Sequence, residues 1–319
     1  MTKDLLTLFD ITRDELEALF VLTDKLKREP RVQPLTGKTV AMIFQKPSLR
    51  TRVSFEVGIT QLGGHPVVLS QEGIGIGTRE SAADVARLLS RYCDGIVARL
   101  FGHVVLTELA AFASVPVINA LTDVSHPCQV LADLYTLRQH DKLRPGIKVA
   151  FIGDGNNMVH SWLEAASIYP LEFVLAAPDG YHPDPRVMNQ ALKTGVSRIS
   201  IVKDPSEAAA GADVLYTDVW TSMGQEAESE KRRKNFAWYQ VTMTLLKAAK
   251  PDCVVMHCLP AHRGEEITGE VLESARSIVF DEAENRLHVQ KAVLAQLLRG
   301  GKNASGENAV PSVAEKVRL

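Results

Sequence analysis

Apolar residues in this chain alternate between two patterns: short continuous runs, and longer stretches in which they recur at helical spacing. Strand-like runs occupy 39–44, 66–70, 95–99 and 116–119, separated by helix-patterned segments at 52–62, 80–92 and 104–113. A first helix begins at a capping box made by Thr12 and Glu15 and continues to about Lys27, with Leu16, Leu19, Phe20 and Leu26 turned inward. In the helix that follows the first strand, Val53, Val57 and Leu62 form the apolar side and Gly63-Gly64 the stop. A further helix runs from about Pro127 to His140. After a connection containing Pro145-Gly146 the alternation restarts, with strands near 148–152, 172–176, 199–203, 213–217, 253–257 and 277–280. Strand–helix alternation predicts parallel sheets covered by helices on both faces. The expected fold is therefore α/β: two doubly wound parallel-sheet domains with the active site in the cleft between them. The first domain spans 1–140 and the second 147–285. Residues 286–300 form a C-terminal helix, patterned from about Gln290 to Leu298, that packs back on the first domain. Residues 301–319 are polar and aperiodic, and read as a mobile tail.

Length agrees with this division, since 319 residues suit two domains of roughly 150 each. Charge is balanced, 36 basic against 38 acidic residues, which argues against a polyanion-binding surface and so against nucleic acid as a partner. No apolar run approaches the ~18 residues of a membrane span. The start, Met1-Thr2-Lys3-Asp4, has neither a basic region nor a long apolar stretch behind it, so no signal peptide is expected. Cys93, Cys128, Cys253 and Cys258 make no C-x-x-C pair and no disulfide framework. The expectation is a soluble, cytoplasmic protein.

The chemistry gathers where strands end, which is where ligands bind in open α/β sheets. Ser48-Leu49-Arg50-Thr51-Arg52 follows the run Val40-Ala41-Met42-Ile43-Phe44 and opens a helix. Free backbone N–H groups and the positive end of the helix dipole make such a turn an anion site. Arg50 adds a guanidinium that can grip phosphate oxygens bidentately, and Ser48 and Thr51 add hydroxyls. Arg99 closes the third strand. Asp123-Val124-Ser125-His126-Pro127-Cys128-Gln129 follows the fourth, and Gly153-Asp154-Gly155-Asn156-Asn157 follows the strand near 148–152. Asp218-Val219-Trp220-Thr221-Ser222-Met223-Gly224 and Cys258-Leu259-Pro260-Ala261-His262-Arg263-Gly264 close two later strands. Taken singly, each has other readings. Gly153-Asp154-Gly155 begins like a dinucleotide fingerprint but lacks its later glycine. His257-Cys258 with His262 could suggest zinc, although adjacent ligands are awkward and no second Cys/His pair lies nearby. Cys258 could be a nucleophile near arginines or an inert buried thiol.

Together, the Ser48–Arg52 turn, His126-Pro127-Cys128-Gln129, Asp218–Gly224 and His257–Gly264 resemble the signature set of ornithine carbamoyltransferases, in order from about Lys38 to Lys291. The first motif and His-Pro-x-Gln also occur in aspartate carbamoyltransferases, whereas the Ser-Met-Gly and His-Cys-Leu-Pro elements point to ornithine. The resemblance implies transfer from carbamoyl phosphate to L-ornithine, giving L-citrulline and phosphate, by direct attack of the neutral side-chain amine through a tetrahedral intermediate. It further implies a homotrimer, a place in arginine biosynthesis or breakdown, and no metal or organic cofactor. Carried over residue by residue, the 1–140 domain binds carbamoyl phosphate through Ser48, Leu49, Arg50, Thr51, Arg99, His126, Pro127, Cys128 and Gln129, with Cys258, Leu259 and Arg286 completing the site. The 147–285 domain binds ornithine through Asn157, Asp218, Ser222, Met223, Cys258 and Leu259. Arg50, Arg99, His126, Asp218 and Cys258 are the expected catalytic residues. Cys258 then positions the amine or takes its proton together with Asp218.

This chain departs from the family pattern at two positions. Leu49 stands where the first motif commonly has Thr, so that contact must come from the backbone amide. Gly75, in the loop Gly73–Ser81, stands where the family often has a Gln that reaches a neighbouring subunit's carbamoyl phosphate. Other readings are a different carbamoyltransferase, an NAD-linked oxidoreductase, and a non-catalytic descendant. The intact Ser-Met-Gly and His-Cys-Leu-Pro elements oppose the first, and the poor glycine fingerprint opposes the second. The presence of Arg50, Arg99, His126 and Cys258 opposes the third.

Overall fold

The computed structural model describes residues 2–221 and 226–298. The expected tail at 301–319 and the expected ligand residues Ser222 and Met223 lie outside the described residues. Strands β1 (Thr39–Phe44), β2 (His65–Ser70), β3 (Gly95–Arg99) and β4 (Val117–Leu121) form one sheet in the order β2-β1-β3-β4. Strands β5 (Ile147–Ile152), β6 (Leu171–Ala176), β7 (Arg198–Val202), β8 (Val214–Thr217) and β9 (Val254–His257) form a second, in the order β7-β6-β5-β8-β9. Every strand pair is parallel, and helices connect the strands. This is the expected pair of doubly wound α/β layers.

Strand order reverses beside β1 in the first sheet and beside β5 in the second, and at these switch points the connections diverge and leave a crevice. Register brings the strand ends level. Phe44 pairs with Arg99, and Ile152 pairs with Thr217, which pairs with His257. The segments that follow these strands therefore face one another.

The first helix, Arg13–Arg28, forms as its sequence dictates. Thr12 accepts from the Glu15 N–H at 3.3 Å, and Glu15 accepts from the Thr12 N–H at 2.8 Å. Leu16, Leu19, Phe20 and Leu26 are all buried. The helix Leu49–Gln61 faces otherwise than its pattern suggested. Thr51, Phe55, Gly58 and Ile59 are buried, whereas Val53 and Val57 are 47% and 37% exposed. Val53 and Val57 share their face with the exposed Leu49, so these two valines, read as inner, are outer, while Leu62 is buried as expected.

The expected strand at 277–280 is not one. Ser277 makes a single bridge to Val255, and Val279 already starts the helix Val279–Leu298, eleven residues before the apolar pattern suggested. This helix packs on Arg13–Arg28, Leu49–Gln61 and Pro127–Gln139. One apolar cluster, with Tyr135, Trp162 and Tyr216 among its large side chains, is continuous between the inner faces of both sheets.

Gly155 explains the incomplete dinucleotide fingerprint. Its N–H donates to the Tyr181 carbonyl at 2.8 Å, and a Cβ there would lie 2.7 Å from that same oxygen. The glycine permits one backbone to approach another. Gly75 ends the short helix Gln71–Ile74 at φ +62, and a Cβ would lie 2.7 Å from that of Arg79. A side chain here would strain the turn.

Candidate active site

The facing strand ends enclose a cleft of about 1440 Å³. Ser48, Leu49, Arg50, Thr51, Arg99, His126, Gln129 and Arg286 line one part of it, and Asn157, Asp218, Cys258 and Leu259 another. The fold thus brings together residues spread over most of the chain. Pro127 and Cys128 are the exceptions among the described candidates. Pro127 is the buried first residue of the helix Pro127–Gln139, and the Cys128 thiol points to the Asn119 carbonyl at 3.4 Å. Neither lines the cleft.

On the first-sheet side, Ser48 caps the helix Leu49–Gln61 by accepting from the Thr51 N–H at 3.3 Å. Leu49, the first residue of this helix, has a side chain that is 75% exposed. The buried Thr51 hydroxyl accepts from Arg99 Nη1 at 3.3 Å and Arg286 Nη2 at 3.4 Å. With its lone pairs engaged, its own hydrogen is left to donate. Among the described residues, none of Arg50, Arg99 and Arg286 forms an ion pair. Burial lowers Arg99 to about 10, and the charges of Arg286 and Arg50 push the same way. It stays cationic at neutral pH, so this end of the cleft gathers three guanidiniums that form no ion pair among the described residues. Burial also holds His126 well below the usual histidine range, helped by Arg286 and Arg99. Its imidazole is neutral, and its Nδ1 has no partner among the described residues.

On the second-sheet side, Asp218 follows β8 and Cys258 follows β9. The Cys258 Sγ donates to Asp218 Oδ1 at 3.0 Å, and Asn156 Nδ2 donates to Asp218 Oδ2 at 2.9 Å. Burial pushes the Cys258 thiol well up, and the Asp218 charge adds to this. A protonated thiol is neither a nucleophile nor a ready base. Leu259 has φ +55, and its N–H donates to His257 Nδ1 at 2.9 Å. His257 Nε2 meets Glu266 Oε1 at 3.1 Å. The candidate donor atoms of His257, Cys258 and Asp218 lie within 4.8 Å of one another. Both histidine nitrogens and the thiol hydrogen are already committed, however, and this donor set suits loop positioning better than zinc.

Sequence reading missed two supporting groups. Asn156 caps the helix Asn157–Ala166 through its Oδ1 while its amide holds Asp218. Glu164 lies beneath His126: its Oε2 accepts from the Leu8 N–H at 2.9 Å and the Ser125 hydroxyl at 2.8 Å. Burial raises the Glu164 carboxyl to about 8. The folded state therefore keeps a proton that the unfolded chain releases near pH ~4.3, and stability falls as pH rises from there through about 8. Glu164→Gln removes this loss. Its urea midpoint relative to the parent is expected to be higher at pH 9 than at pH 5, and an equal difference at both would mean that the buried carboxyl is already ionised.

Comparison with known proteins agrees with this geometry. Residues 3–139 match the family described as aspartate/ornithine carbamoyltransferase, carbamoyl-P binding domain, and residues 145–297 match the Asp/Orn binding domain of the same family. The chain is 58% identical over 266 residues to an ornithine carbamoyltransferase of Chlorobaculum tepidum, covering 83% of this chain and 79% of that one. It is 51% identical over 303 residues to one of Geobacter metallireducens, covering 94% and 100%. Among solved structures, ornithine carbamoyltransferase from Pyrococcus furiosus superposes with a TM-score of 0.89 at 48% identity, covering 94% of this chain and 98% of that one. With both halves matched and relatives this similar along nearly its full length, the chain belongs to the aspartate/ornithine carbamoyltransferase family and is a carbamoyltransferase.

Proposed function

We propose that this protein transfers the carbamoyl group of carbamoyl phosphate to the side-chain amine of L-ornithine, releasing L-citrulline and phosphate. The observation that carries this reading is the set of three unpaired guanidiniums at a helix N-terminus, in one cleft with the Asp218–Cys258 pair. An uncompensated cationic end suits a dianion, and a carboxylate beyond it suits an amine.

In this scheme the phosphate rests on the amides at Ser48–Thr51 with Arg50, Arg99 and Arg286. Gln129 braces Arg286. As the amine adds to the carbonyl carbon, the charge on the carbonyl oxygen is met by the Thr51 hydroxyl, Arg99 and the neutral His126. Ornithine's amine, with a free pKa near ~10.4, must lose its proton before it can attack. The cationic site disfavours the ammonium by like charge and desolvation, and Asp218 accepts the proton. Cys258 acts as a thiol that orients Asp218 and the amine, while Asn157, Ser222, Met223 and Leu259 hold the rest of ornithine. The 1–140 domain is the carbamoyl phosphate module and 147–285 the ornithine module. A homotrimeric assembly, a cytoplasmic setting and a role in arginine metabolism belong to the same proposal. The described helices include none long and apolar enough to cross a membrane.

The test is citrulline formation by purified protein with carbamoyl phosphate, offering ornithine, N-acetylornithine, putrescine and aspartate in parallel. Turnover with ornithine alone supports the assignment, and turnover with another acceptor overturns its second half. Cys258→Ala is expected to lower kcat about tenfold, the cost of one lost hydrogen bond to a charged group. The KM for carbamoyl phosphate should stay within about threefold. Steady-state kinetics decide this, and unchanged kcat would remove the thiol from the chemistry.

A further inference from the structure

Behind Gln129 lie two carboxyl groups that the reaction scheme does not use. Asp133, on the helix Pro127–Gln139, and Glu282, in the first turn of Val279–Leu298, are both fully buried. Gln129 Nε2 donates to Asp133 Oδ1 at 2.8 Å and to Glu282 Oε1 at 2.9 Å, while its Oε1 accepts from Arg286 Nη1. The amide has acceptors on one side and a guanidinium on the other, so its orientation is fixed. Glu282 also reaches the second sheet. Its Oε1 accepts from the Tyr216 hydroxyl at 3.2 Å, and its Oε2 accepts from the His257 N–H at 3.0 Å. Tyr216 lies on β8 and His257 ends β9, the strands that carry Asp218 and Cys258.

Donors are shared unequally. Three point at Glu282; Asp133 shares two of these, Gln129 and the Tyr216 hydroxyl, and among the described residues its Oδ2 has no hydrogen-bond partner. Two carboxylates in contact in a dry site do not both ionise. We propose that Asp133 is held as the neutral acid and Glu282 as the carboxylate of one buried pair, which positions Gln129, and through it Arg286, for carbamoyl phosphate. Burial raises both carboxyls, in keeping with one proton retained by the pair. The pair also links the phosphate grip to the strands bearing Asp218 and Cys258. These are positioning residues, and the inference rests on the function proposed above.

The asymmetry supplies the test. Asp133→Asn places an amide nitrogen at Oδ2, where no donor opposes it, and leaves an oxygen for Gln129. Glu282→Gln must set its amide nitrogen against either the His257 N–H or the donors Tyr216 and Gln129. Both variants nearly conserve volume. Carbamoyl phosphate affinity, measured calorimetrically on the folded variants, is expected to stay within about threefold in Asp133→Asn and to weaken at least tenfold in Glu282→Gln. Equal losses, no loss in either, or the reverse order would overturn the proposal. If the parent itself fails to bind carbamoyl phosphate, the function assignment fails instead. Should Glu282→Gln not fold, infrared difference spectroscopy between the parent and Asp133→Asn decides the matter. A buried carboxylic-acid carbonyl band lost on going from the parent to the variant, over the Glu164 band common to both, supports the pair, and a difference spectrum with no such loss overturns it.

Discussion

Arg99→Met is expected to lose activity and gain stability together. Arg99 is buried, touches the Thr51 hydroxyl, and stands among like charges with no ion pair of its own. Methionine fills a similar volume without a charge to desolvate, and relieves Arg50 and Arg286 of a repulsive neighbour. Each kcal/mol of relief raises the unfolding temperature by roughly 2–4 °C in a domain of this size. Activity moves the other way, because a preorganised charge aimed at a developing oxyanion is worth about 10²–10³ in rate. Thermal unfolding of the ligand-free protein, paired with kcat/KM for carbamoyl phosphate, tests both signs. A variant that loses activity and melts lower would show that Arg99 supports the fold instead of straining it for function.

Asp218→Asn is the second large effect. Asn156 and Cys258 both donate to this carboxylate, so it is oriented from two sides and open on the cleft. Loss of a positioned proton acceptor costs about 10²–10⁴ in rate. The variant should bind carbamoyl phosphate as the parent does, since its altered atom belongs to the other sheet's edge. Its defect should shrink as pH rises from 7.5 to 9.5, because bulk solvent then supplies more of the free amine whose ordinary pKa is near ~10.4. Kcat measured across that range is the check. A defect independent of pH would assign Asp218 to holding ornithine and not to taking its proton.

Much of this was legible in the sequence where one physical demand dominated. Strands buried on both faces read as plain apolar runs, and these, together with the half-buried edge strands β2 and β7, make nine that lie where the pattern put them. The turn at Ser48 announced itself because a helix cap, a hydroxyl and a guanidinium are rarely adjacent without an anion to meet them. The pattern failed where a residue answers to two neighbours at once. The helix Val279–Leu298 packs on three others and buries Glu282, Asn285, Arg286, Gln290 and Lys291, so its polar positions are not its outer ones. Its start therefore read as the end of a strand at 277–280, and its helical pattern emerged only near Gln290. Asp133 and Glu282 escaped notice for the same reason: an acid on a helix reads as solvated until a partner from a distant part of the chain is seen against it. In Leu49–Gln61 the error ran in reverse, with Val53 and Val57 outward and Phe55 and Ile59 within.

The three guanidiniums do more than meet a phosphate. At their end of the cleft they raise a repulsive potential against a cation and draw anions in. A ligand carrying ammonium groups meets a barrier on its first approach, and the barrier falls only when a dianion has settled at the far end. With the function proposed above, the order of arrival is in this way written into the electrostatics of the site. Salt that screens the field should blur that order before it harms the chemistry.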